Sequence, residues 1–384
     1  MKKIKTVFIT GSRAEYGLLY PVLKTFKISP EFDFKLVITG SHLSPFFGLT
    51  KNDIINDGFN IDYEVPFHLD SDLDEAFPIS LGNGIIQFTH VFKILKPDIV
   101  FVLGDRIEVL SAALSANFLM IPLAHIHGGD NTSFMLPDTY IRHCISKLAH
   151  IHFPATKNSK KNLIKMGEDK RRIFVVGNLG IYSLDFKEIP DYKILKNKYN
   201  LFKEKEYALL IHHPFPFEKE KSLEELEFIL KALFKFSLPF VAISPNNDPG
   251  GREMRNFLFS EAQRGNFILI DNLPYREFIS LMKNAKFMIG NSSSALYEAC
   301  LFKIPVITVG RRTELRERGG YIYNALKSEE IEDSIEKILK GKLPKFIPSP
   351  FKRIRGDLII KKVIINFFKN YTKEEIFNKK LNIE

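Results

Sequence analysis

Short apolar runs that alternate with amphipathic segments constrain the fold of this chain more than any other feature. In the first half the apolar runs occupy residues 7–10, 34–39, 99–103, 123–126, 150–153 and 173–176. Helical patterns lie between them at residues 20–26, 85–95 and 107–116. The second half repeats the scheme with runs at residues 207–211, 240–244, 267–269, 287–289 and 306–309. Strands that are apolar on both faces and separated by helices are typical of parallel sheets covered on both sides. The sequence therefore predicts an α/β fold with two doubly wound halves.

The division of the chain follows from its length and from one charged segment. A chain of 384 residues is long for one core and comfortable for two. Residues 185–206 are charged and have no strong apolar run, so this segment is the predicted linker. Two doubly wound halves joined there imply a cleft between them. Ligands of such sheets bind beyond the carboxyl ends of the strands, so the residues after each strand are the candidate site residues.

The charge balance leaves two classes of partner to consider. Lys and Arg number 55 against 45 Asp and Glu, a formal net charge of +10. Such a balance is compatible with nucleic acid, a membrane surface or an anionic small substrate. The lysines are spread along the chain and interleave with acids, and no basic motif is rich in aromatic residues. This pattern favours a basic surface with a small anionic substrate, and no nucleic-acid or membrane partner is expected.

The cysteines and the N-terminal residues predict the compartment. Cys144 and Cys300 are the only cysteines, and both lie in apolar helical patterns, so buried structural thiols are expected. The first residues lead directly into an apolar run and leave no room for a signal peptide. No apolar run reaches the length of a membrane span. The protein is expected to be cytoplasmic.

A turn that follows the apolar run at residues 287–289 predicts a nucleotide site. Gly290, Asn291, Ser292 and Ser293 stand between that run and a helical segment that carries Glu298. Hydroxyl groups and backbone N–H groups at a helix N-terminus form an anion site. A carboxylate one and a half turns into the helix could accept both hydroxyls of a ribose. Together these features indicate a nucleoside diphosphate, and the alternative is an ordinary serine N-cap.

Ionisable residues follow five of the predicted strands. In chain order, the five strand ends carry the following residues: Arg13; Asp105 and Arg106; His125, His127, Asp130, Asp138, Arg142 and His143; His212 and His213; and Asn247 and Asp248. Each residue alone could belong to a structural turn or N-cap. Five strand ends that all carry such residues favour a functional site, because structural loops do not require this coincidence.

Two other interpretations of these residues are a dinucleotide site and a zinc site. The turn after the first strand is not Gly-x-Gly-x-x-Gly, so a dinucleotide fingerprint is absent. His125 and His127 could share one face of a strand and bind zinc. No cysteine or third ligand joins them at a recognisable spacing, so no metal is expected.

The motifs together resemble a known enzyme family over nearly the whole chain. The segments that carry the resemblance are TGSRAEYG (10–17), GDR (104–106), HIHGG (125–129), IRH (141–143), HP (213–214), PNNDPG (245–250), GNSS (290–293) and GRR (310–312). They look like those of the hydrolysing UDP-N-acetylglucosamine 2-epimerases. The resemblance implies a GT-B-like fold of two Rossmann-type doubly wound domains with an interdomain cleft. It implies an N-terminal domain at 1–184, a C-terminal domain at 185–356, and a final helix at about 357–384 that packs back on the first domain. No cofactor is implied, the expected partner is a nucleotide sugar, and a homo-oligomer is expected.

The resemblance also implies roles for residues at matching positions. The implied catalytic residues are Asp105, His127, Asp130, Asp138 and His213. The implied substrate- and nucleotide-binding residues are Arg13, Arg106, Arg142, His143, Asn247, Asn291, Ser292, Ser293, Glu298 and Arg312. Many family members have a glutamate where this chain has His127, so proton transfer there falls to the imidazole or to Asp130.

An apolar insertion predicts the substrate. Phe134, Met135, Leu136 and Pro137 lie between the implied catalytic positions Asp130 and Asp138, where an apolar wall would favour a 6-deoxy, 4-acetamido sugar. The alternative is a loop that packs outward on the domain surface. The expected reaction converts GDP- or UDP-linked N,N′-diacetylbacillosamine to 2,4-diacetamido-2,4,6-trideoxymannose and the nucleoside diphosphate, by elimination and then hydration, for legionaminic acid biosynthesis. The alternatives are a hydrolysing UDP-N-acetylglucosamine 2-epimerase that supplies N-acetylmannosamine for sialic acid, and a GT-B glycosyltransferase. The sequence does not distinguish UDP from GDP.

Overall fold

The computed structural model describes most of the chain and divides it into two compact units. The described residues are 3–45, 48–69, 75–131, 137–182, 185–202, 206–215, 218–245, 249–265, 267–271, 273–314, 316–351 and 354–382. Unit 1 comprises Met1–Leu184 and Phe351–Glu384, and unit 2 comprises Asp185–Pro350.

Each unit contains one six-stranded parallel sheet. The strands in chain order are β1 Ile4–Thr10, β2 Phe32–Thr39, β3 Tyr63–Val65, β4 Ile99–Leu103, β5 Leu123–Ile126, β6 Ile151–Phe153, β7 Ala208–Ile211, β8 Phe240–Ile243, β9 Ile268–Ile270, β10 Phe287–Gly290, β11 Val306–Val309 and β12 Ile322–Ala325. The order is β3-β2-β1-β4-β5-β6 in unit 1 and β12-β11-β10-β7-β8-β9 in unit 2. All neighbouring strands are parallel. The predicted pair of doubly wound α/β halves is confirmed.

The helices connect these strands. In chain order they are α1 Arg13–Lys27, α2 Lys51–Asn56, α3 Ala76–Leu95, α4 Ile107–Phe118, α5 Pro137–Leu148, α6 Lys157–Lys165, α7 Leu179–Tyr182, α8 Tyr192–Lys198, α9 Lys219–Lys235, α10 Gly251–Ala262, α11 Tyr275–Asn284, α12 Ser294–Leu301, α13 Ser328–Leu339, α14 Gly356–Asn370 and α15 Lys373–Phe377. Single turns of 3₁₀ helix lie at Gly40–Leu43, Lys170–Arg172 and Phe186–Glu188.

Both faces of the unit 1 sheet are buried, which explains the continuous apolar runs. Successive side chains of a strand point to opposite faces. Phe8 packs into one core cluster with Phe26 of α1 and Ile360 of α14. Its neighbour Val7 packs into the opposite cluster with Phe92 of α3. A strand in this environment has no solvent face and so shows no polar alternation.

The C-terminal residues belong to unit 1 and form two helices rather than one. Thr25 of α1 donates a hydrogen bond of 2.7 Å to the buried carboxylate of Asp357 in α14. The helix ends at Asn370, and α15 begins after Thr372, whose side chain caps it in a capping box with Glu375. The single helix predicted over about 357–384 is therefore interrupted by a new N-cap.

The other differences from the prediction lie at sheet edges and in the linker. Edge strands β3 and β12 were not predicted, because they are short and only partly apolar. Residues 173–176 form one isolated bridge to β6 rather than a strand. The predicted linker contains α8, and Tyr199, the residue after α8, donates a 2.6 Å hydrogen bond to Glu277 of α11. Cys300 is buried as expected, but Cys144 is exposed on α5, so that expectation is wrong for Cys144.

Candidate active site

The turn after β10 is held by a close approach of two backbones. Gly290 has φ +127°, and a Cβ built there would lie 2.0 Å from the carbonyl oxygen of Ile211 on β7. No side chain fits at this position, which explains the glycine. The turn leads into α12, where the Ser293 side chain makes no capping hydrogen bond. The Ser292 and Ser294 hydroxyls lie 2.8 Å apart. The turn therefore presents hydroxyls at a helix N-terminus, the arrangement that suits an anion.

One residue, Asn291, connects three strand ends in unit 2 through its side chain and its backbone carbonyl. Asn291 is 1% exposed. Its Oδ1 accepts the His213 N–H at 2.7 Å, and its Nδ2 donates to the His213 carbonyl oxygen at 2.8 Å. The Arg312 guanidinium donates to the Asn291 carbonyl oxygen at 3.3 Å. These residues follow the adjacent strands β7, β10 and β11, and we call His213, Asn291 and Arg312 the unit 2 cluster.

The unit 2 cluster carries one permanent positive charge and one neutral imidazole. The pKa of His213 lies well below its usual value, because the side chain is buried and the Arg312 guanidinium is near. A neutral imidazole can donate or accept a hydrogen bond but brings no charge to a phosphate. Electrostatic attraction of an anion in this cluster therefore rests on Arg312, with His213 available for hydrogen bonding or proton transfer.

Glu298 is held by a tyrosine that the sequence analysis missed. The Glu298 side chain is 3% exposed and lies in the second turn of α12. Tyr275, the first residue of α11, donates its phenol hydrogen bond to Glu298 at 3.1 Å. Burial, followed by the charge of Glu298, raises the pKa of Tyr275, so the phenol stays a donor. Nothing in the local sequence marks Tyr275, because its partner is 23 residues away.

A second group of predicted residues comes together in unit 1 around one buried arginine. Arg142 of α5 forms an ion pair with Asp105, which follows β4. It also donates a 3.2 Å hydrogen bond to the carbonyl oxygen of Asp130, in the loop after β5. Asp138 lies one turn before Arg142 on the same helix. We call Asp105, Asp130, Asp138 and Arg142 the unit 1 cluster.

The structure shows which protein groups Arg142 contacts, and its predicted binding role stays a prediction. The Arg142 side chain is 6% exposed, and its guanidinium bonds are made to protein groups on two other loops. Such an arginine orients its partners. In unit 1 it holds the carboxylate of Asp105 and the backbone of Asp130 in one arrangement. Sequence reasoning identified all three residues but not this connection, which depends on tertiary packing.

Two predicted histidines, His127 and His143, are close in sequence to this cluster. His127 has φ +59° and its Nε2 lies 3.2 Å from the carbonyl oxygen of Gly177. Because a carbonyl only accepts, Nε2 carries the proton. Burial lowers the pKa of His127 to about 4. Burial, followed by the Arg142 charge, lowers the pKa of His143. Both imidazoles are therefore neutral at pH 7.

A buried pair of carboxylates, Glu15 of α1 and Glu108 of α4, lies at the loop that follows β1. Glu15 accepts the Gly11 N–H at 2.9 Å. The Glu108 side chain packs against Gly11 and Gly40, where added Cβ atoms would lie 2.9 and 2.6 Å from it. Burial, followed by the charge of Glu108, raises the pKa of Glu15 to about 7, and Arg106 opposes the rise.

Two predicted arginines are close to this pair in the sequence. Arg13 begins α1, whose N-cap is Ser12, and the Arg106 Nε lies 3.5 Å from the Glu108 carboxylate. Glu108 was missed by the sequence analysis, although it follows the Gly104-Asp105-Arg106 segment by only two residues.

Some predictions lie outside the described residues. Asn247 and the apolar residues Phe134, Met135 and Leu136 are among them. Across the part of the chain that the structure describes, no three His, Cys, Asp or Glu side chains form a group that could hold a metal ion. Within the same residues no helix is both long enough and apolar enough to cross a membrane.

Comparison with known proteins identifies the class and the family. Two Rossmann-type domains with these strand-end residues are a GT-B-like fold. The family model described as UDP-N-acetylglucosamine 2-epimerase matches residues 24–354. The chain belongs to this family and is one of its enzymes, as the motifs predicted.

Individual relatives support the same assignment. The chain is 37% identical over 319 residues to a protein named UDP-N,N′-diacetylbacillosamine 2-epimerase (hydrolyzing) from Legionella pneumophila, covering 82% of this chain and 83% of the relative. It is 33% identical over 343 residues to a GDP/UDP-N,N′-diacetylbacillosamine 2-epimerase (hydrolyzing) from Campylobacter jejuni, covering 88% of each. The crystal structure of UDP-GlcNAc 2-epimerase from Neisseria meningitidis bound to UDP-GlcNAc matches with a TM-score of 0.79 at 21% identity, covering 94% of this chain and 100% of that one.

Proposed function

We propose that this enzyme is a hydrolysing 2-epimerase of UDP- or GDP-linked N,N′-diacetylbacillosamine. Its products would be 2,4-diacetamido-2,4,6-trideoxymannose and the nucleoside diphosphate, a supply route for legionaminic acid. The observation that carries the choice of substrate is the similarity to two relatives with this printed activity, at 37% and 33% identity over more than four fifths of the chain.

The chemistry of this substrate sets what the protein must provide. The C2 proton is not acidic, because no carbonyl lies next to C2. Its removal must accompany departure of the nucleoside diphosphate from C1, so the C2–H and C1–O bonds break and a C1=C2 double bond forms. Water then adds its hydroxyl to C1, and a proton arrives at C2 on the opposite face. The reaction needs a base, an acid, and groups that stabilise the leaving phosphates.

The unit 1 cluster is suited to the proton transfers. It brings the Asp105 carboxylate and the loop of Asp130 onto one guanidinium, with Asp138 on the same helix as Arg142. A carboxylate that is held in one orientation reacts without first having to be ordered. We assign the C2 base and its partner acid to Asp105, Asp130 and Asp138, without dividing the two roles among them.

The unit 2 cluster is suited to the nucleotide. Arg312 supplies a permanent positive charge for the phosphates, and the serines before α12 supply hydroxyls at a helix N-terminus. Glu298 would accept the ribose hydroxyls with its orientation set by Tyr275. His213 would contact the leaving phosphate as a neutral donor. Arg13, Arg106 and His143 complete the proposed binding set.

The second candidate is UDP-N-acetylglucosamine, the substrate in the name of the family. It differs from the first by a hydroxyl at C6 and a hydroxyl instead of an acetamido group at C4. Burying an unpaired hydroxyl costs about 1–3 kcal/mol in proteins, which corresponds to roughly ten- to a hundredfold in specificity.

The experiment is a comparison of kcat/KM for the UDP and GDP forms of both sugars, with free sugar and nucleoside diphosphate followed by NMR. The proposal predicts a preference of at least about tenfold for the diacetylbacillosamine sugar. A preference for the N-acetylglucosamine form would overturn the substrate and leave the reaction standing. Release of nucleotide only in the presence of a sugar acceptor would indicate a glycosyltransferase instead.

A further inference from the structure

His125 makes two hydrogen bonds from one fully buried imidazole. The residue is in β5, and its side chain is 0% exposed. Its Nε2 lies 2.8 Å from the Gly104 carbonyl oxygen, and its Nδ1 lies 3.0 Å from the Ser146 hydroxyl. A carbonyl can only accept, so Nε2 carries the proton and Nδ1 accepts from the Ser146 hydroxyl. Burial lowers the pKa of His125 to about 3, so the imidazole is neutral at pH 7.

The two partners of His125 lie next to two members of the unit 1 cluster. Gly104 immediately precedes Asp105, and with φ +85° it forms the turn that directs the chain out of β4. Ser146 lies four residues after Arg142 on α5, so the two residues share one face of that helix. One imidazole therefore links the turn that carries Asp105 to the helix that carries its ion-pair partner.

The loop that leads to Asp130 also packs against this imidazole. A Cβ added to Gly128 would lie 2.6 Å from His125 Nδ1 and 2.7 Å from the Ser146 hydroxyl. The glycine therefore lets the loop backbone pass directly over the bond between His125 and Ser146. All three segments that build the unit 1 cluster thus meet at the ring of His125.

We propose that His125 is a positioning residue. It sets the distance between the Asp105 turn and the Arg142 helix and so fixes the positions of the proton-transfer carboxylates relative to one another. This inference rests on the proposed function, because it gives the unit 1 cluster a catalytic task. His125 does not contact the substrate itself, since its ring is enclosed by protein.

The alternative is a buried histidine that contributes only to stability, and the chain provides a matched control for it. His150 is also buried, and its Nδ1 accepts the Leu123 N–H at 3.0 Å. Leu123 is the first residue of β5, so His150 lies at the opposite end of the strand from the unit 1 cluster. A stability role predicts that His125 and His150 substitutions behave alike, whereas a positioning role predicts that only His125 affects turnover.

Two substitutions separate the two bonds of His125. The carboxamide of glutamine reaches the position of Nε2 and can donate to Gly104, while that of asparagine reaches only the position of Nδ1. We expect His125→Asn to lower kcat on the order of 10²-fold, the effect of a displacement of about 1 Å at a catalytic group. We expect His125→Gln to stay within about tenfold of wild type. For both variants KM and the affinity for UDP should be unchanged, because His125 bonds to Gly104 and Ser146 rather than to a residue of the proposed binding set.

The measurement compares kcat, UDP affinity by calorimetry and thermal stability for His125→Gln, His125→Asn and His150→Gln, since glutamine does not reach the Nδ1 position that bonds to Leu123. The proposal is overturned if His125→Asn keeps the wild-type kcat, if glutamine at position 125 rescues no better than asparagine, or if His150→Gln loses kcat to the same extent. Hydrogen exchange of residues 104–106 and of α5 gives a test that needs no turnover. His125→Asn should lose protection in both segments, and unchanged protection would overturn the proposal even if the wild-type enzyme failed to act on either sugar nucleotide.

Discussion

Asn291 offers the strongest quantitative test of the unit 2 cluster. Asn291→Ala removes the side chain that bonds to both the N–H and the carbonyl of His213. Each buried polar group left without a partner costs about 1–3 kcal/mol, so the substitution should destabilise unit 2 by roughly 2–6 kcal/mol. The position of Arg312 depends on the same turn, so nucleotide affinity should fall as well.

The matched control is Asn284→Ala. Asn284 is exposed and donates one hydrogen bond of 2.8 Å to the Ser280 carbonyl oxygen within α11. When the Asn284 amide is removed, water can donate to the Ser280 carbonyl oxygen in its place. The expected destabilisation is therefore about 0.5–1.5 kcal/mol, with no change in nucleotide affinity.

The assay is urea unfolding with and without UDP, following the transition that the nucleotide shifts. At a UDP concentration one hundred times Kd, the free energy of unfolding of the wild type should rise by about 2.7 kcal/mol. Asn291→Ala should lose most of this gain at the same UDP concentration, and Asn284→Ala should keep it. The reasoning is refuted if Asn291→Ala unfolds like Asn284→Ala, or if it keeps the full stabilisation by UDP.

Three further predictions address proton transfer, nucleotide binding and pH. Asp105→Asn should lower kcat by about 10²–10⁴-fold and leave UDP affinity unchanged by calorimetry; a variant that keeps a tenth of the rate contradicts the catalytic role. Glu298→Ala should raise KM with kcat nearly unchanged, and Tyr275→Phe should do so more weakly; equal losses of kcat and kcat/KM would place these residues at the reacting centre. The pKa of Glu15 is raised in the folded state, so Glu15 contributes to the free energy of unfolding fully below its unfolded-state pKa. This contribution is lost as pH rises to about 7. In thermal unfolding, wild type should therefore lose stability relative to Glu15→Gln between about pH 4.5 and 7. A stability difference between the two proteins that stays constant over this range would contradict the raised pKa.

The sheets could be predicted from the sequence because burial on both faces leaves a simple pattern. Val7 and Phe8 enter opposite core clusters, so β1 is apolar throughout. Edge strand β12 has one neighbour and reads Ile-Tyr-Asn-Ala, with its middle residues partly or fully exposed. A pattern search based on apolar runs misses such a strand.

The site could be predicted only in part, because the sequence shows which residues follow strands but not which distant side chains contact them. Asp105 in unit 1 and Asn291 in unit 2 come within two residues of the end of a strand, and the carboxyl edge of each parallel sheet places such residues of its own unit near one another. The partners that hold them come from distant parts of the chain. Tyr275 reaches Glu298 and Arg142 reaches Asp105 only through tertiary packing, and neither contact has a local spacing that a sequence could display.

The central claim is a hydrolysing 2-epimerase that works by elimination and hydration, and the position of solvent hydrogen tests it most directly. Turnover of UDP-N,N′-diacetylbacillosamine in deuterium oxide, without any sugar acceptor, should release UDP and free sugar with inverted C2. That sugar should carry one deuterium at C2, because the proton removed in the elimination is replaced from solvent. A released sugar that retains its original C2 hydrogen, or no release of UDP without an acceptor, would contradict the account.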